Sequence, residues 1–185
     1  MLANSSARIT NNIANSNYYY GIYLGSSSNS MLINNKVLNN SYGIYLLDDS
    51  NNNLIYLNNF INNTENFYSY RSTNIWNSTE KITYTYNGKQ YTNYLGNYWS
   101  DYNGSDADGD GIGDTPYSID GDADNYPLMQ PWERYFPTTP TPIPAQTFDT
   151  GRPENPYPSI SGKFIGTIKT NKKIIAKKLY TYACE

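Results

Sequence analysis

Three stretches of the chain read as copies of one another: 'ARITNNIANSNYYYGIYLGSSSN', 'MLINNKVLNNSYGIYLLDDSNNN' and 'LIYLNNFINNTENFYSYRSTN'. They recur every two dozen residues or slightly fewer. Within each, apolar residues alternate with asparagines: Ile9/Asn11/Ile13/Asn15, Ile33/Asn35/Val37/Asn39 and Leu57/Asn59/Ile61/Asn63. A period of two belongs to an extended strand, whose successive side chains point to opposite faces. In the first two copies a second short strand follows, in which Ile22 and Leu24, then Ile44 and Leu46, point inward while Tyr23 and Tyr45 point out. The third copy blurs into 'NFYSY'.

No copy is long enough to close a core alone. Stacking the copies, with strands about 4.8 Å apart, lets each cover the next. The expected fold is therefore all-β, a parallel β-helix. A leucine-rich repeat needs Leu-dense units with a helix or turn on the outer face, and these units have few Leu and no helical period. The asparagines then acquire a purpose. Asn tolerates left-handed backbone at corners, and its amide both donates and accepts, so equivalent Asn side chains on successive copies can bond in a ladder. A disordered low-complexity tract would lack the periodic apolar positions.

The pattern 'NNxIxNNxYGIYLxxSxNN' resembles the NosD-type repeats, also grouped as carbohydrate-binding and sugar-hydrolase (CASH) repeats, which are abundant in archaeal cell-surface proteins. The likeness continues through 'IYLNNFINNT', 'STNIWNST', 'ITYTYNGKQYTNYLGNYWSDYNGSDADGDGIGDTPY' and 'DNYPLMQPW', from about residue 8 to 135. It implies a right-handed parallel β-helix whose C-terminal end is closed by the acidic loop, and it implies calcium in that loop.

Four regions follow: β-helix coils over 1–75, a C-terminal cap over 76–135, a Pro/Thr-rich linker over 136–158 and a truncated β-rich segment over 159–185. The cap reading rests on two alternating runs around Asn87-Gly88, a strong hairpin signal. An uncovered last coil would leave strand edges and a flat apolar section in water. 'FPTTPTPIPAQTFDTGRPENPYP' reads as an extended tether.

The acidic stretch 'SDADGDGIGDTPYSIDGDADNYP' begins as a calcium loop does, with Asp106, Asp108 and Asp110 at alternate positions and Gly111 at the sharp turn. Ile112 would lend its carbonyl, and Asp114 falls where a ligand often acts through water. The twelfth position is Tyr117 where a bidentate Glu would stand, so either Asp120, Asp122 or Asp124 completes the shell or the affinity is weak. Calcium takes six to eight hard oxygens, and clustered carboxylates repel without a cation. The bland alternative is a solvated acidic turn.

Composition excludes several functions. There is no His, which removes the commonest general base and transition-metal ligand together. Between Ile9 and Asn63 the only acids are Asp48 and Asp49, adjacent in a turn, and the only base is Lys36, so catalysis by glycosidase or lyase chemistry is not expected. Copper, suggested by the NosD name alone, favours His, Cys and Met, yet Cys184 is single and Met1, Met31 and Met129 are scattered. A net charge of -3 offers no field for nucleic acid, and no run approaches the length of a membrane span. Met1 leads into 'LANSSARITNN' without the parts of a signal peptide and inside a repeat, so the chain reads as a fragment of a longer protein.

A scaffold on the cell surface is the reading that remains. Sequons at Asn4, Asn39, Asn62, Asn77 and Asn103 fit glycosylation outside the cell. A row led by Tyr23 and Tyr45 can stack on sugar rings, against the plainer view that Tyr suits strand surfaces. The expected partners are a cell-wall or extracellular polysaccharide or neighbouring copies of the protein.

Overall fold

The computed structural model describes residues 2–3 and 6–137, with side chains from residue 6 onward. Asn4, Cys184, nearly all of the expected linker and the whole of 159–185 lie outside the described residues. Strands are β1 (Leu2–Ala3), β2 (Arg8–Thr10), β3 (Ile13–Asn15), β4 (Tyr20–Gly25), β5 (Met31–Ile33), β6 (Lys36–Leu38), β7 (Tyr42–Leu47), β8 (Leu54–Tyr56), β9 (Asn59–Ile61) and β10 (Glu65–Ser69). They assemble into three parallel sheets, β2-β5-β8, β3-β6-β9 and β1-β4-β7-β10. Each repeat, or rung, therefore places one strand in every sheet before the chain starts the next. Among the described residues there is no α-helix.

The alternating run is thus two short strands, not one. The chain turns between them at Asn11, Asn34 and Leu57, all at positive φ (58°, 58° and 54°), and again at Ser16, Asn39 and Asn62 (58°, 56° and 51°). The turn resets which side chains face inward. Ile9 pairs with Leu32 and then Ile55, and Ala14 with Val37 and then Phe60. Leu32, Ile55, Val37 and Phe60 are fully buried, whereas Ile13, one of the alternating apolar positions, is 71% exposed. Aligning Ile9 with Ile33 and Leu57 is one or two residues out of register. In the third sheet Ile22/Ile44 and Leu24/Leu46 do pair and point inward, as expected. Each fully buried aliphatic contributes about 1.5–3 kcal/mol, so identical contacts repeated down three columns hold the stack.

A fourth, broken rung ends the stack. Ile75 bridges Leu54, and β13 (Tyr98–Trp99) joins the edge of β9. Between them lies the hairpin of β11 (Ile82–Tyr86) and β12 (Lys89–Asn93), turned at Asn87 and Gly88 with φ of 48° and 79°, which matches the expectation from that dipeptide. A second hairpin, β14 (Tyr117–Ile119) with β15 (Asp122–Asp124), follows the acidic loop.

Trp76, Trp99 and Ile119 join the inner core of the rungs, and Trp99 lies between Phe60 (4.5 Å) and Tyr117 (4.4 Å) in a nearly parallel stack. Those side chains close the last rung. The β11–β12 hairpin does something else: Tyr84 and Tyr86 share a second core with Ile33, Leu57, Leu95, Ile112, Leu128 and Tyr135. Ile33 alternates with the inward Leu32, so this core forms on the outside of β5 and β8.

Candidate metal centre, amide ladders and tyrosine face

Asparagines of successive rungs do bond in ladders, but through Asn12, Asn17, Asn35, Asn40, Asn58 and Asn63; of the alternating asparagines only Asn35 and Asn63 belong to them, while Asn59, for one, bonds Glu133 and Trp132. Each buried Oδ1 accepts the backbone N–H and the amide N–H of the Asn 23 residues earlier: Asn12 to Asn35 (3.0 and 3.2 Å), Asn35 to Asn58 (3.0 and 2.9 Å), Asn17 to Asn40 and Asn40 to Asn63. The second amide hydrogen goes back to a carbonyl 26 residues earlier, as from Asn35 to Ile9 and Asn58 to Leu32. Every donor and acceptor of a middle Asn is used, which is what a buried amide requires.

Such a ladder has a direction. Donors point toward the C-terminal rung, so the last Asn needs an acceptor that asks for nothing further. A carboxylate is that group. Asn58 passes to Asn97, and Asn97 gives its N–H (2.7 Å) and amide (3.3 Å) to Asp124. Ser30 passes to Asn53, Asn53 to Asn74, and Asn74 donates to Asp122 (2.7 Å). Asn63 passes through Asn66 to Asp101 (2.7 Å), and the N–H of Ser69 ends on Asp120. Asp120, Asp122 and Asp124 are therefore not brought to the acidic loop that they were expected to complete. Asp124 is wholly buried; lack of water pushes its carboxyl up to about 6, partly offset by donors from Trp99, Asn97 and Tyr126.

The loop itself gathers Asp106, Asp108 and Asp110, with one oxygen of each within 4.8 Å of the others. Asp106 accepts the N–H groups of Gly109 (2.8 Å), Asp110 and Gly111 (2.9 Å), while Asp110 accepts that of Ile112 (2.8 Å). Gly111 stands at φ 91°, and a side chain there would also strike the Tyr86 ring at 2.6 Å, so the turn has two reasons for glycine. Asp114 lies outside the triad: it folds back to accept from Ala107 (2.9 Å) and Ser105. Ile112 bonds to the triad through its backbone N–H, which Asp110 accepts.

Tyrosines hold the loop from the hairpin side, which the sequence did not signal. Tyr91 donates to the carbonyl of Gly109 (3.0 Å) and Tyr135 to that of Gly111, and Asn93 reaches Asp110. The Tyr84 hydroxyl is buried without a hydrogen-bond partner, in a residue only 2% exposed. Burial first, then the Asp110 and Asp108 carboxylates close by, push its pKa up.

Tyr23 and Tyr45 do stand in one row, extended by Tyr68 in the blurred third copy. Their rings stack on one another, Tyr23 on Tyr45 at 5.9 Å and 12° and Tyr45 on Tyr68 at 4.5 Å and 13°. Tyr45 is thus flanked by tyrosine rings on both sides. Burial, then the neighbouring phenols, raise the Tyr45 pKa. Tyr18 and Tyr19, 81% and 62% exposed, keep open ring surface.

Of the sequons, Asn39, Asn62 and Asn103 are exposed and Asn77 half-buried. Asn39 and Asn62 occupy the same corner of neighbouring rungs, since the N–H of Asn39 bonds the carbonyl of Ile61 as that of Ser16 bonds Leu38. Asp48 and Asp49 are exposed at a corner, both at positive φ. Met31 and Met129 pack against the second core. Among the described residues, no helix is long and apolar enough to cross a membrane.

Neither the curated proteins nor the solved structures contain a match to the chain. Residues 1–104, more than half of the 185, match the family described as periplasmic copper-binding protein (NosD), and the chain belongs to that family of parallel β-helix repeats.

Proposed function

We propose that the chain is a non-catalytic scaffold of the cell exterior: one right-handed parallel β-helix, closed at its C-terminal end, with calcium holding the acidic loop. The observation that carries this reading is the ladder system. Its polar groups are consumed in stacking, and its carboxylates Asp101, Asp122 and Asp124 are spent on ending ladders. What remains on the rungs is mostly hydroxyl, amide and phenol with a few scattered charges such as Arg8, Lys36, Asp48, Asp49 and Glu65, a charge-poor surface suited to packing or display and not to proton transfer.

For the loop, three converging carboxylates and a glycine turn support a hard cation. The family description names copper, and the donors present do not fit it: the chain has no His, and Met31 and Met129 are packing residues. Asp106, Asp108 and Asp110 would hold calcium, whose charge would relieve the repulsion among them. Terbium titration tests the assignment, because Tyr84, Tyr86 and Tyr91 lie near enough to sensitise a lanthanide. Sensitised emission that calcium displaces and Asp108→Ala abolishes is expected; emission unchanged in Asp108→Ala would refute the site. A carbohydrate-binding role is the second reading, favoured by the exposed rings of Tyr18 and Tyr19, and retention on cell-wall polysaccharide that Tyr18→Ala/Tyr19→Ala removes would establish it.

A further inference from the structure

Val37 and Phe60 point into the core, so their neighbours Lys36 and Asn59 stand on the outer side of the β3-β6-β9 sheet, directly opposite one another on adjacent strands. The cap returns along this face, and its short 3-10 turn, Trp132–Arg134, sets Glu133 over the pair. One Glu133 oxygen, Oε1, is buried and lies 2.6 Å from Lys36 Nζ; the other accepts from Asn59 Nδ2 at 2.8 Å. The Asn59 carbonyl oxygen accepts the backbone N–H of Trp132 at 3.0 Å, and Asn59 is only 1% exposed. Burial raises the Glu133 pKa, and the bonds from Lys36 and Asn59 more than reverse this, so the group is ionised as a proton acceptor must be.

We infer that this cluster is a site of self-modification, at which the Lys36 side chain forms an amide bond with that of Asn59 and releases ammonia. The groups such a reaction needs are all present: an amine, an amide carbonyl, a carboxylate touching both nitrogens, and an N–H on the oxygen that gains negative charge. Glu133 takes a proton from the Lys36 ammonium. The freed electron pair on Nζ attacks Cγ of Asn59 while the Trp132 N–H steadies its oxygen, and as the Cγ–Nδ2 bond breaks Glu133 relays the proton to Nδ2. An ammonium group and a primary amide thus become a secondary amide and an ammonium ion, with no oxidant or reductant, and Glu133 returns as a carboxylate. Proximity is built in, since the strands lie about 4.8 Å apart and hold both reactants in place. A plain ion pair accounts for Lys36 and Glu133, but it does not call for an amide that shares the carboxylate and rests its oxygen on an N–H. The product ties the second rung to the third through residues 23 apart. It forms once in each chain, so the inference stands apart from the calcium site and from the scaffold role.

Tryptic digestion of the full chain, produced without glycosylation, folded and then denatured, reads the bond directly. Trypsin cuts after Arg8, Lys36 and Arg71, with no other Lys or Arg between them, and does not cut after an acylated Lys. The expected product is a single peptide spanning 9–71, lighter than its sequence by one ammonia, whose fragments join Lys36 to Asn59. Separate peptides 9–36 and 37–71 at their unaltered masses overturn the inference. Lys36→Arg keeps a cation for Glu133 but lacks the amine nucleophile, so it should yield both peptides at full mass; ammonia lost between residues 9 and 71 in this variant places the chemistry elsewhere and also overturns it. Glu133→Gln, checked as folded by tryptophan emission matching the unaltered chain, should link about a hundredfold more slowly after refolding, the low end of what a general acid–base contributes. Linking at the unaltered rate overturns the mechanism.

Discussion

Asn58 sits in the middle of the longest ladder and is wholly buried, so its removal measures what the ladder contributes. Its Oδ1 accepts the N–H (3.0 Å) and amide (2.9 Å) of Asn35, and its own amide serves Leu32 (2.8 Å) and Asn97 (3.0 Å). In Asn58→Ala the backbone N–H of Asn58 still reaches Asn97, but two Asn35 donors lose their acceptor in a dry site. At about 1–3 kcal/mol for each orphaned group, the expected loss is about 2–6 kcal/mol. With a urea slope of about 1–3 kcal/mol per molar, the midpoint falls by roughly 1 M or more. Trp76 and Trp99 report the transition from within the same core. The exposed Asn15→Ala, which loses only surface bonds to Asn39 and Ser16, should stay within about 0.5 kcal/mol. Asn58→Asp should be worse than Asn58→Ala at neutral pH, since it buries a charge and points acceptors at the Leu32 carbonyl and Asn97 Oδ1. If Asn58→Ala and Asn15→Ala unfold at the same urea concentration, the ladder contributes nothing and the reasoning fails.

Asp124 predicts an unusual pH dependence. Its folded pKa, about 6, lies above the ordinary 3.8, so between those values the folded state binds more protons than the unfolded, and this group's contribution to stability falls as pH rises through the window and is level above it. The drop is about 3 kcal/mol at about 1.36 kcal/mol per unit, and subtracting urea midpoints of Asp124→Asn from those of the unaltered protein at pH 4, 5 and 7 isolates it; a difference that grows with pH would contradict the sign. Calcium at a hundredfold excess over its dissociation constant should stabilise the folded protein by about 2.7 kcal/mol, and a melting curve unmoved by chelator would count against the loop as its site. Gly111→Ala, forced to φ 91° and against Tyr86, should cost at least about 2 kcal/mol and lose terbium emission, whereas Gly109→Ala, with φ 72° and open space, should cost only the backbone strain of about 1–2 kcal/mol.

Much of the fold was legible because it repeats. The second strand of the rungs, the inward Ile22, Leu24, Ile44 and Leu46, the hairpin at Asn87-Gly88 and the amide ladder all follow from local chemistry that recurs at a fixed spacing. The register error shows where such reading stops. Ile33 and Leu57 are apolar and sit at alternating positions, so they pass for inner core, yet they face outward into a second core made with Tyr84, Tyr86, Leu95 and Leu128, far along the chain. Nothing within the repeat distinguishes a side chain buried by the next rung from one buried by a later hairpin. Leu57 goes further: it takes the left-handed corner that Asn11 and Asn34 hold in earlier rungs, and its N–H bond to Gly96 with burial offsets a strain of about 1–2 kcal/mol.

The aspartates divide by the same logic. Asp106, Asp108 and Asp110 cluster because their spacing is local: alternate residues around a glycine turn place carboxylates on one side of a short loop whatever the rest of the chain does. Asp120, Asp122 and Asp124 have the same alternation on paper, but they lie in or beside a hairpin laid across the end of the rungs, and their partners, Ser69, Asn74 and Asn97, are 51, 48 and 27 residues away. Ladder polarity supplies the signal that spacing lacked. A stack of amides that donates in one direction must end on a group with acceptors only, so a chain of this kind needs carboxylates just past its last Asn rung, one for each ladder. Asp101 and Asp124 end two ladders in this way, Asp122 takes the backbone N–H that ends a third, and these acids on either side of the acidic loop are committed to closing the stack.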